Sequence, residues 1–417
     1  MLNFQGYNFV MKPRILARVI LKALKTFPAI VVTGPRQSGK TTLLKMLFSK
    51  THRFVTLEDP DVRIRAKEDP LHFLNQYRPP VIIDEIQYVP ELLSYIKTRI
   101  DENRKPGQWL FTGSQNFVLM QRISQSLAGR AAVLSLLPFS FSERIGKGET
   151  GREIADWLKG LNPDQKCENK VSLSEVILRG NYPEIATKRS VDRQLWCGSY
   201  ISTYLERDVR NLAQIGDLSQ FERFLKLCAT RTGQILNISE LAKEIGMSVP
   251  TIKRWLSILE TGYQIYLLYP YYKNIGKRLV KSPKLYFNDT ALASYLLGLH
   301  DRETLLGSPN FGNLLETMII TDFLKRFLHF GQMPSMYYLR TQDGLEIDLV
   351  VESGQYLNLF EIKSAMTIFP KHASSLLRIA SELKSSVKTS AIISISPDNF
   401  MVKNGIYNYN WKNILGI

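Results

Sequence analysis

The stretch AIVVTGPRQSGKTTLLKML at residues 29–47 decides the fold prediction. Its first part, Ala29–Thr33, is a β-branched run typical of a buried parallel strand. The next eight residues, Gly34–Thr41, match G-x-x-x-x-G-K-[ST] at every fixed position, and a helix-forming run, Thr42–Phe48, follows. This order of strand, loop and helix predicts a loop that holds phosphates, whereas a chance glycine-rich turn would not need the flanking elements.

The loop residues have separate predicted roles in binding ATP and Mg²⁺. Gly34 and Gly39 let the backbone fold tightly, so that its N–H groups surround a phosphate at a helix N-terminus. Lys40 is expected to reach the β- and γ-phosphates, and the Thr41 hydroxyl is expected to bind Mg²⁺. The predicted nucleotide-binding set is Gly34, Pro35, Arg36, Gln37, Ser38, Gly39, Lys40, Thr41 and Thr42.

Two further strands are predicted to end in polar residues beside this loop. PPVIIDEIQ (79–87) leads into Asp84, expected to hold Mg²⁺ through water, and Glu85, expected to polarise the attacking water. QWLFTGSQN (108–116) ends in Ser114, Gln115 and Asn116, and FVTLED (54–59) supplies another strand. Because ligands of an open parallel sheet sit outside the carboxyl ends of its strands, these endings should converge on one crevice.

Downstream motifs give the chain a family resemblance. SLAGR, LLPFS, GNYPE and YLERDVRNL follow TGPRQSGKTTL, LEDPD, IIDEIQ and FTGSQN in order through half of the chain. The chain thereby resembles AAA+ ATPases, and more narrowly a bacterial and archaeal family that joins an AAA-type domain to a poorly characterised C-terminal domain. The resemblance implies a γ-phosphate sensor within Ser114–Asn116, with Asn116 as the catalytic candidate, and a trans-acting finger at Arg130. Alternatively, Arg130 is a surface residue paired with a local acid.

A helix-turn-helix rhythm is predicted in the middle of the chain. Ile238–Ile245 and Val249–Leu259 each carry apolar residues at helical spacing, with Ser248 as the expected N-cap of the second helix. The loop KNIGKRLVKSP (273–283) then resembles the wing of a winged helix. The candidate DNA contacts are Lys253, Arg254, Lys273, Lys277, Arg278 and Lys281. Alternatively, the unit packs as a lid or spacer and touches no DNA.

The C-terminal region resembles the restriction-endonuclease fold. A predicted helix at 312–328 presents Glu316, and a strand pair carries Asp348 and then Glu361 and Lys363 on one face. In that fold Asp348 and Glu361 would chelate Mg²⁺, Glu316 would complete the metal shell and Lys363 would activate water. Two alternatives stay open: ordinary strand-edge charges, or a real fold whose nuclease is silent.

Composition sets the broader expectations. The 417 residues carry a formal net charge of +16, which favours an anionic partner such as DNA. Three scattered cysteines argue against a disulfide framework, and no signal peptide or membrane span is evident, so a cytoplasmic protein without a membrane partner is expected.

The predicted architecture is α/β, with a P-loop AAA-type domain (1–150), a helical linker or lid (151–234), a winged-helix domain (235–300) and a nuclease-like domain (301–417). The expected function is ATP-driven binding and processing of DNA, branched, broken or foreign, by a homo-oligomer that could be a ring. The alternative is a nucleotide-gated regulatory switch whose winged helix and nuclease-like domain only bind DNA or a partner.

Overall fold

The computed structural model describes residues 12–114, 125–204, 218–272 and 282–416. The sensor candidate Asn116 lies outside these residues. So do four predicted DNA contacts of the 273–283 loop, namely Lys273, Lys277, Arg278 and Lys281.

The first module is a parallel five-stranded sheet in the order β2-β3-β4-β1-β5. Its central strands are buried along their whole length, which explains their continuous apolar runs. The strands are β1 (Ala29–Thr33), β2 (Arg53–Thr56), β3 (Val81–Asp84), β4 (Trp109–Gly113) and β5 (Ala131–Ser135). The helices are α1 (Leu16–Ala23), α2 (Lys40–Phe48), α3 (Pro60–Glu68), α4 (Pro70–Gln76) and α5 (Leu92–Glu102).

The middle module combines helices with a small antiparallel sheet in the order β6-β8-β7. Its helices are α6 (Phe141–Arg144), α7 (Ile154–Lys159), α8 (Leu173–Arg179), α9 (Pro183–Thr187), α10 (Arg193–Tyr204), α11 (Leu218–Thr230), α12 (Ile238–Ile245), α13 (Val249–Thr261), α14 (Thr290–Leu296) and α15 (Arg302–Gly307). Its strands are β6 (Gln234–Ile235), β7 (Ile265–Leu268) and β8 (Lys284–Phe287).

The C-terminal module packs a long helix against a mixed six-stranded sheet in the order β13-β14-β12-β11-β10-β9. The helices are α16 (Phe311–His329), α17 (Ser374–Leu383) and α18 (Trp411–Leu415). The strands are β9 (Met336–Arg340), β10 (Glu346–Ser353), β11 (Tyr356–Lys363), β12 (Val387–Ser394), β13 (Phe400–Lys403) and β14 (Ile406–Asn410). Among the residues described, no helix has the length and apolarity needed to cross a membrane.

Capping residues fix the predicted helix pair of the middle module. The Asn237 side chain accepts from the backbone N–H of Glu240 at the start of α12, and Gly246 ends that helix in the left-handed conformation. The Ser248 side chain accepts from the N–H of Thr251 and starts α13. The two helices therefore lie where the sequence pattern puts them, separated by a three-residue turn.

One buried carboxylate, that of Glu143, joins the first module to α16. It accepts bonds from Arg14 Nε (3.2 Å), from the backbone N–H of Ile15 (2.8 Å) and from that of Ser140 (2.9 Å). His329 Nδ1 on α16 lies 3.1 Å from Glu143 Oε2. Burial alone would raise the pKa of Glu143, but Arg14 and His329 outweigh it and hold this pKa well below its usual range.

His329 is held in its neutral form by burial and by the contact of its Nε2. Its Nε2 accepts a bond from the backbone N–H of Leu137 (3.2 Å), which requires that this nitrogen carry no proton. Burial lowers the pKa of His329 further, although the Glu143 carboxylate raises it. The histidine is therefore neutral in the fold, while an unfolded chain would protonate it below about pH 6.5.

We predict that folding stability falls as the pH drops through this range. Between the lowered pKa of folded His329 and about 6.5, the unfolded state binds the extra proton, so one such group removes up to about 1.4 kcal/mol per pH unit. Chemical unfolding of wild type and His329→Gln at pH 5.5 and 7.5 tests this, with the exposed His72→Gln as control. A slope that survives His329→Gln unchanged would contradict the assignment.

Candidate functional site

The loop after β1 has a backbone conformation that requires glycine at positions 34 and 39. Gly34 has φ 144°, and a Cβ there would lie 2.2 Å from the carbonyl oxygen of Leu136, just beyond the neighbouring strand β5. Gly39 has φ 95° and immediately precedes α2. The loop therefore closes against β5 and opens at the N-terminus of α2, where backbone N–H groups can face an anion.

Lys40 and Thr41 begin α2 with their side chains on the predicted site. Lys40 is buried, and its Nζ donates to the carbonyl oxygens of Gly34 (2.9 Å) and Pro35 (2.8 Å). The Thr41 hydroxyl donates to Asp84 Oδ1 at 2.6 Å. The ammonium group thus lies inside the loop, and the hydroxyl meets the carboxylate at the end of β3.

Asp84 is surrounded by hydroxyl groups. Besides Thr41, the hydroxyls of Thr112 (2.5 Å) and Thr56 (3.2 Å) donate to its carboxylate, one from each neighbouring strand. Hydroxyls carry no charge, so they orient this carboxylate without neutralising it. A hydroxyl and a charged carboxylate at one point suit Mg²⁺, and the buried Ser38 Oγ has no partner within the loop, so the donor set fits a magnesium nucleotide.

Glu85 follows in a left-handed turn and is held by side chains of the next strand. Its φ is 56°, and its backbone N–H donates to the Thr112 hydroxyl at 3.1 Å. The Gln87 amide donates both to the Glu85 carboxylate and to the Ser114 hydroxyl (3.0 Å). Gln87 therefore fixes the direction of the carboxylate that was predicted to polarise water.

Two long-range contacts tie the phosphate loop to the rest of the chain. Arg14, 6% exposed, donates Nη1 to the Ser38 carbonyl at 2.8 Å while its Nε binds Glu143. Tyr263, between α13 and β7, lies with its hydroxyl 3.1 Å from Thr33 Oγ1 and 2.8 Å from Ser135 Oγ. The loop is thus linked to α16 through Arg14 and Glu143, and the ends of β1 and β5 beside it are linked to the helix pair through Tyr263.

The finger candidate Arg130 is paired within its own chain. Its Nε and Nη2 donate to the two carboxylate oxygens of Asp101, at 2.6 and 2.9 Å. The guanidinium lowers the pKa of Asp101 by hydrogen bonding, and both groups face solvent. This is the local pairing that the sequence left open, and a role in trans would require Arg130 to exchange this partner.

On α13, Lys253 and Arg254 are exposed, whereas Ile252, Trp255 and Leu256 are buried. The two cations therefore face solvent, as contacts to a phosphate backbone would require.

The C-terminal candidates lie together, but a lysine lies among them. Asp348 Oδ2 accepts from the backbone N–H of Ile362 (2.8 Å), and Lys363 Nζ donates to Glu361 Oε1 (2.5 Å). Lys284 Nζ, from β8, lies 3.1 Å from Glu316 Oε1 and 3.6 Å from Asp348 Oδ1. Over the described ranges, no three His, Cys, Asp or Glu side chains form a group that could hold a metal ion.

Two carboxyl groups of this cluster, Glu316 and Glu361, and the lysine have shifted pKa values. Burial and then the Asp348 charge raise the pKa of Glu361, and the same two causes raise that of Glu316. Burial would lower the pKa of Lys284, but the carboxylates of Glu316 and Asp348 outweigh it and raise that pKa above its usual range.

Sequence reasoning missed several of these residues. Arg14 and Tyr263 act over long separations in the chain, and so do the carboxylate partners of Lys284, so no local spacing marks these contacts. The only sequence signal for Gln87 is its position shortly after Asp84, and the only signal for Thr112 is its position near the end of a predicted strand. The IIDEIQ and FTGSQN segments contain both.

Three family models cover most of the chain. Residues 26–145 match a family described as AAA domain. Residues 170–303 match a domain of unknown function (DUF8612), and residues 311–414 match another (DUF4143). The Walker-type ATPase PABY2304 of Pyrococcus abyssi is a structural neighbour, with 15% identity, a TM-score of 0.44 and coverage of 69% of this chain and 99% of that one.

Two curated proteins match along most of their length. They are the uncharacterized proteins Rv2008c of Mycobacterium tuberculosis and Mb2031c of Mycobacterium bovis. Each is 30% identical over 348 residues, which is 83% of this chain and 72% of the relative. Together with the loop geometry and the AAA-domain match, this places the chain in the family of these mycobacterial proteins and gives it an AAA-type P-loop ATPase domain.

Proposed function

We propose that this protein hydrolyses ATP to control how it binds and processes DNA, and that it acts as a homo-oligomer. The observation that carries the proposal is a pair of attachments at the nucleotide site: the phosphate loop to α16 through Arg14 and Glu143, and the adjoining ends of β1 and β5 to the helix pair through Tyr263. A change at the loop is thereby transmitted to both modules that are proposed to meet DNA. Branched, broken and invading DNA are the candidate substrates.

The proposed hydrolysis uses the residues around Asp84. The loop N–H groups and Lys40 bind the phosphates, Thr41 and Asp84 hold the metal, and Glu85 orients and polarises the attacking water. Mg²⁺ supplies neutralisation of phosphate charge at this point. In the oligomer, Arg130 would leave Asp101 for the γ-phosphate bound to a neighbouring subunit, which would make hydrolysis depend on assembly.

DNA binding is supported by charge and exposure. The net charge of +16 favours a polyanion, and Lys253 and Arg254 present two cations on the solvent face of α13. Contacts of this kind position a protein on the phosphate backbone and carry no sequence information. We therefore propose binding that depends on DNA form more than on base sequence.

A second function, a nucleotide-gated switch that only binds DNA or a partner, is favoured by one observation. Lys284 pairs with the carboxylates that a nuclease would need for its metal. In the switch, turnover is slow and the C-terminal module acts as a scaffold.

The deciding experiment is the rate of ATP hydrolysis alone and with single-stranded, duplex or branched DNA, at near-physiological salt. We expect one form of DNA to stimulate the rate of hydrolysis, because the modules proposed to bind DNA are linked to the nucleotide site through Arg14 with Glu143 and through Tyr263. Lys40→Ala is the control and should lose nucleotide binding or turnover in every condition. A rate that no DNA changes would favour the switch, and hydrolysis that survives Lys40→Ala would overturn the site.

We predict that Gln87→Leu lowers kcat about tenfold while KM for ATP changes little. The reason is that Gln87 orients Glu85, which acts in the hydrolytic step and not in ATP binding. Steady-state kinetics should place this variant between wild type and Glu85→Gln, which should bind ATP and scarcely hydrolyse it. The exposed Gln76→Leu is the matched control. A raised KM with unchanged kcat would show that Gln87 serves binding instead.

We predict that Lys253→Ala/Arg254→Ala weakens DNA binding and lowers the salt dependence. Each lost phosphate contact should reduce the slope of log K against log salt by about 0.9 on duplex DNA. Binding measured by fluorescence anisotropy at several salt concentrations gives this slope. The double variant Lys25→Ala/Lys50→Ala removes two exposed lysines from the first module and should leave the salt slope nearly unchanged. Equal slopes for the two variants would make α13 a packing element.

A further inference from the structure

A buried lysine lies at the centre of the C-terminal carboxylate cluster. Lys284 Nζ is 2.6 Å from Glu346 Oε1, 3.1 Å from Glu316 Oε1 and 3.6 Å from Asp348 Oδ1. Its side chain is 4% exposed. Glu316 comes from α16 and the other two acids from β10, whereas the lysine comes from β8 of the middle module. One module therefore supplies the cation for carboxylates of another.

The neighbours of Lys284 keep this arrangement in place. Tyr286, two residues along β8, donates its hydroxyl to Glu316 Oε1 at 2.6 Å, so the strand binds that carboxylate twice. The hydroxyl of Tyr338 donates to the carbonyl of Ser282 at 2.6 Å and so links β9 to the residues before β8. The ammonium position is thus set by the pairing of two modules and not by the lysine side chain alone.

The cluster still carries a surplus of negative charge. Glu316, Glu346, Asp348 and Glu361 face three cationic groups, those of Lys284, Lys363 and Arg340, which leaves one formal negative charge. Glu361 supplies a second sign of incompleteness, since its Oε2 is buried and has no hydrogen-bond partner. Once Lys284 leaves, the surplus becomes two charges, which a single divalent cation would neutralise while giving that oxygen a partner.

A divalent cation and the Lys284 ammonium compete for the same oxygens. A Mg²⁺ ion binds oxygen at about 2.0–2.1 Å, so an ion on the Glu316 and Asp348 oxygens would lie against Nζ. Two cations at that separation repel strongly in a buried site. Metal binding therefore requires Lys284 to leave, and with it a change in the fit of β8 against β10 and α16.

We propose that Lys284 is a tethered counterion that closes the C-terminal carboxylate cluster to divalent cations. Displacement of β8 opens the cluster, and the helix pair that contacts the nucleotide site through Tyr263 leads through β7 into β8. One part of this inference, the role of the opened cluster in DNA processing, rests on the proposed function. The competition between Lys284 and a metal stands without it.

The test is Mn²⁺ binding by the full chain without nucleotide, measured from the electron paramagnetic resonance signal of free Mn²⁺. Wild type should bind Mn²⁺ weakly, and Lys284→Met should gain one site at least tenfold tighter. Lys284→Arg keeps the charge and should gain none. Adding Asp348→Asn to Lys284→Met should abolish the gained site, which assigns it to this cluster and not to the phosphate loop.

A second variant keeps the test valid if Lys284→Met does not fold. Removing one partner of a buried pair leaves an uncompensated charge and destabilises the fold, so Lys284→Met/Glu346→Gln removes a carboxylate together with the ammonium. It should show the same tighter site and a Tm that rises with Mn²⁺. The proposal is overturned if either folded variant binds Mn²⁺ no more tightly than wild type. DNA-stimulated hydrolysis is scored separately, so its absence would reject the proposed function and leave the counterion intact.

Discussion

The buried Glu143 carboxylate is the interaction on which the arrangement of the three modules depends. It brings together the residues before α1, the cap of α6 and the C-terminal end of α16. Its solvation has been replaced by donors from three parts of the chain, so removing any donor leaves a buried charge undersatisfied. The phosphate loop shares this constraint, because the guanidinium that binds Glu143 also binds the Ser38 carbonyl.

This constraint gives the nucleotide site a structural output. Arg14 binds the Ser38 carbonyl and also the anion that contacts α16, so in the proposed function a shift of Ser38 would move Arg14 and reach α16. Tyr263 provides a second path, from the ends of β1 and β5 to β7. Both are chains of packed, hydrogen-bonded groups whose ends lie in different modules, and the coupling that we propose would run through them.

Local patterns allowed much of this structure to be predicted from the sequence. The phosphate loop, the end of β3 and the helix pair follow from spacing and capping over short stretches. The predicted end of one strand was wrong. The strand predicted at 54–59 ends at Thr56, because Asp59 caps α3 and Pro60 occupies the first position of that helix. Contacts such as Arg14 with Glu143, or Lys284 with Glu316, join positions far apart in the chain, and no periodicity in one sequence reports such pairs.

The two carboxylate sites differ in whether a neighbouring cation neutralises them, and this difference orders their proposed functions. Asp84 accepts from three hydroxyls, which orient it and leave its charge available to a metal. Asp348 and Glu316 lie beside an ammonium, which orients them and cancels charge. Because a cation must displace Lys284 at one site and only rearrange hydroxyls at the other, metal should fill the nucleotide site first. Under the proposal for Lys284, the C-terminal cluster binds a metal only after β8 has moved, which would place its part in DNA processing under the control of the phosphate loop.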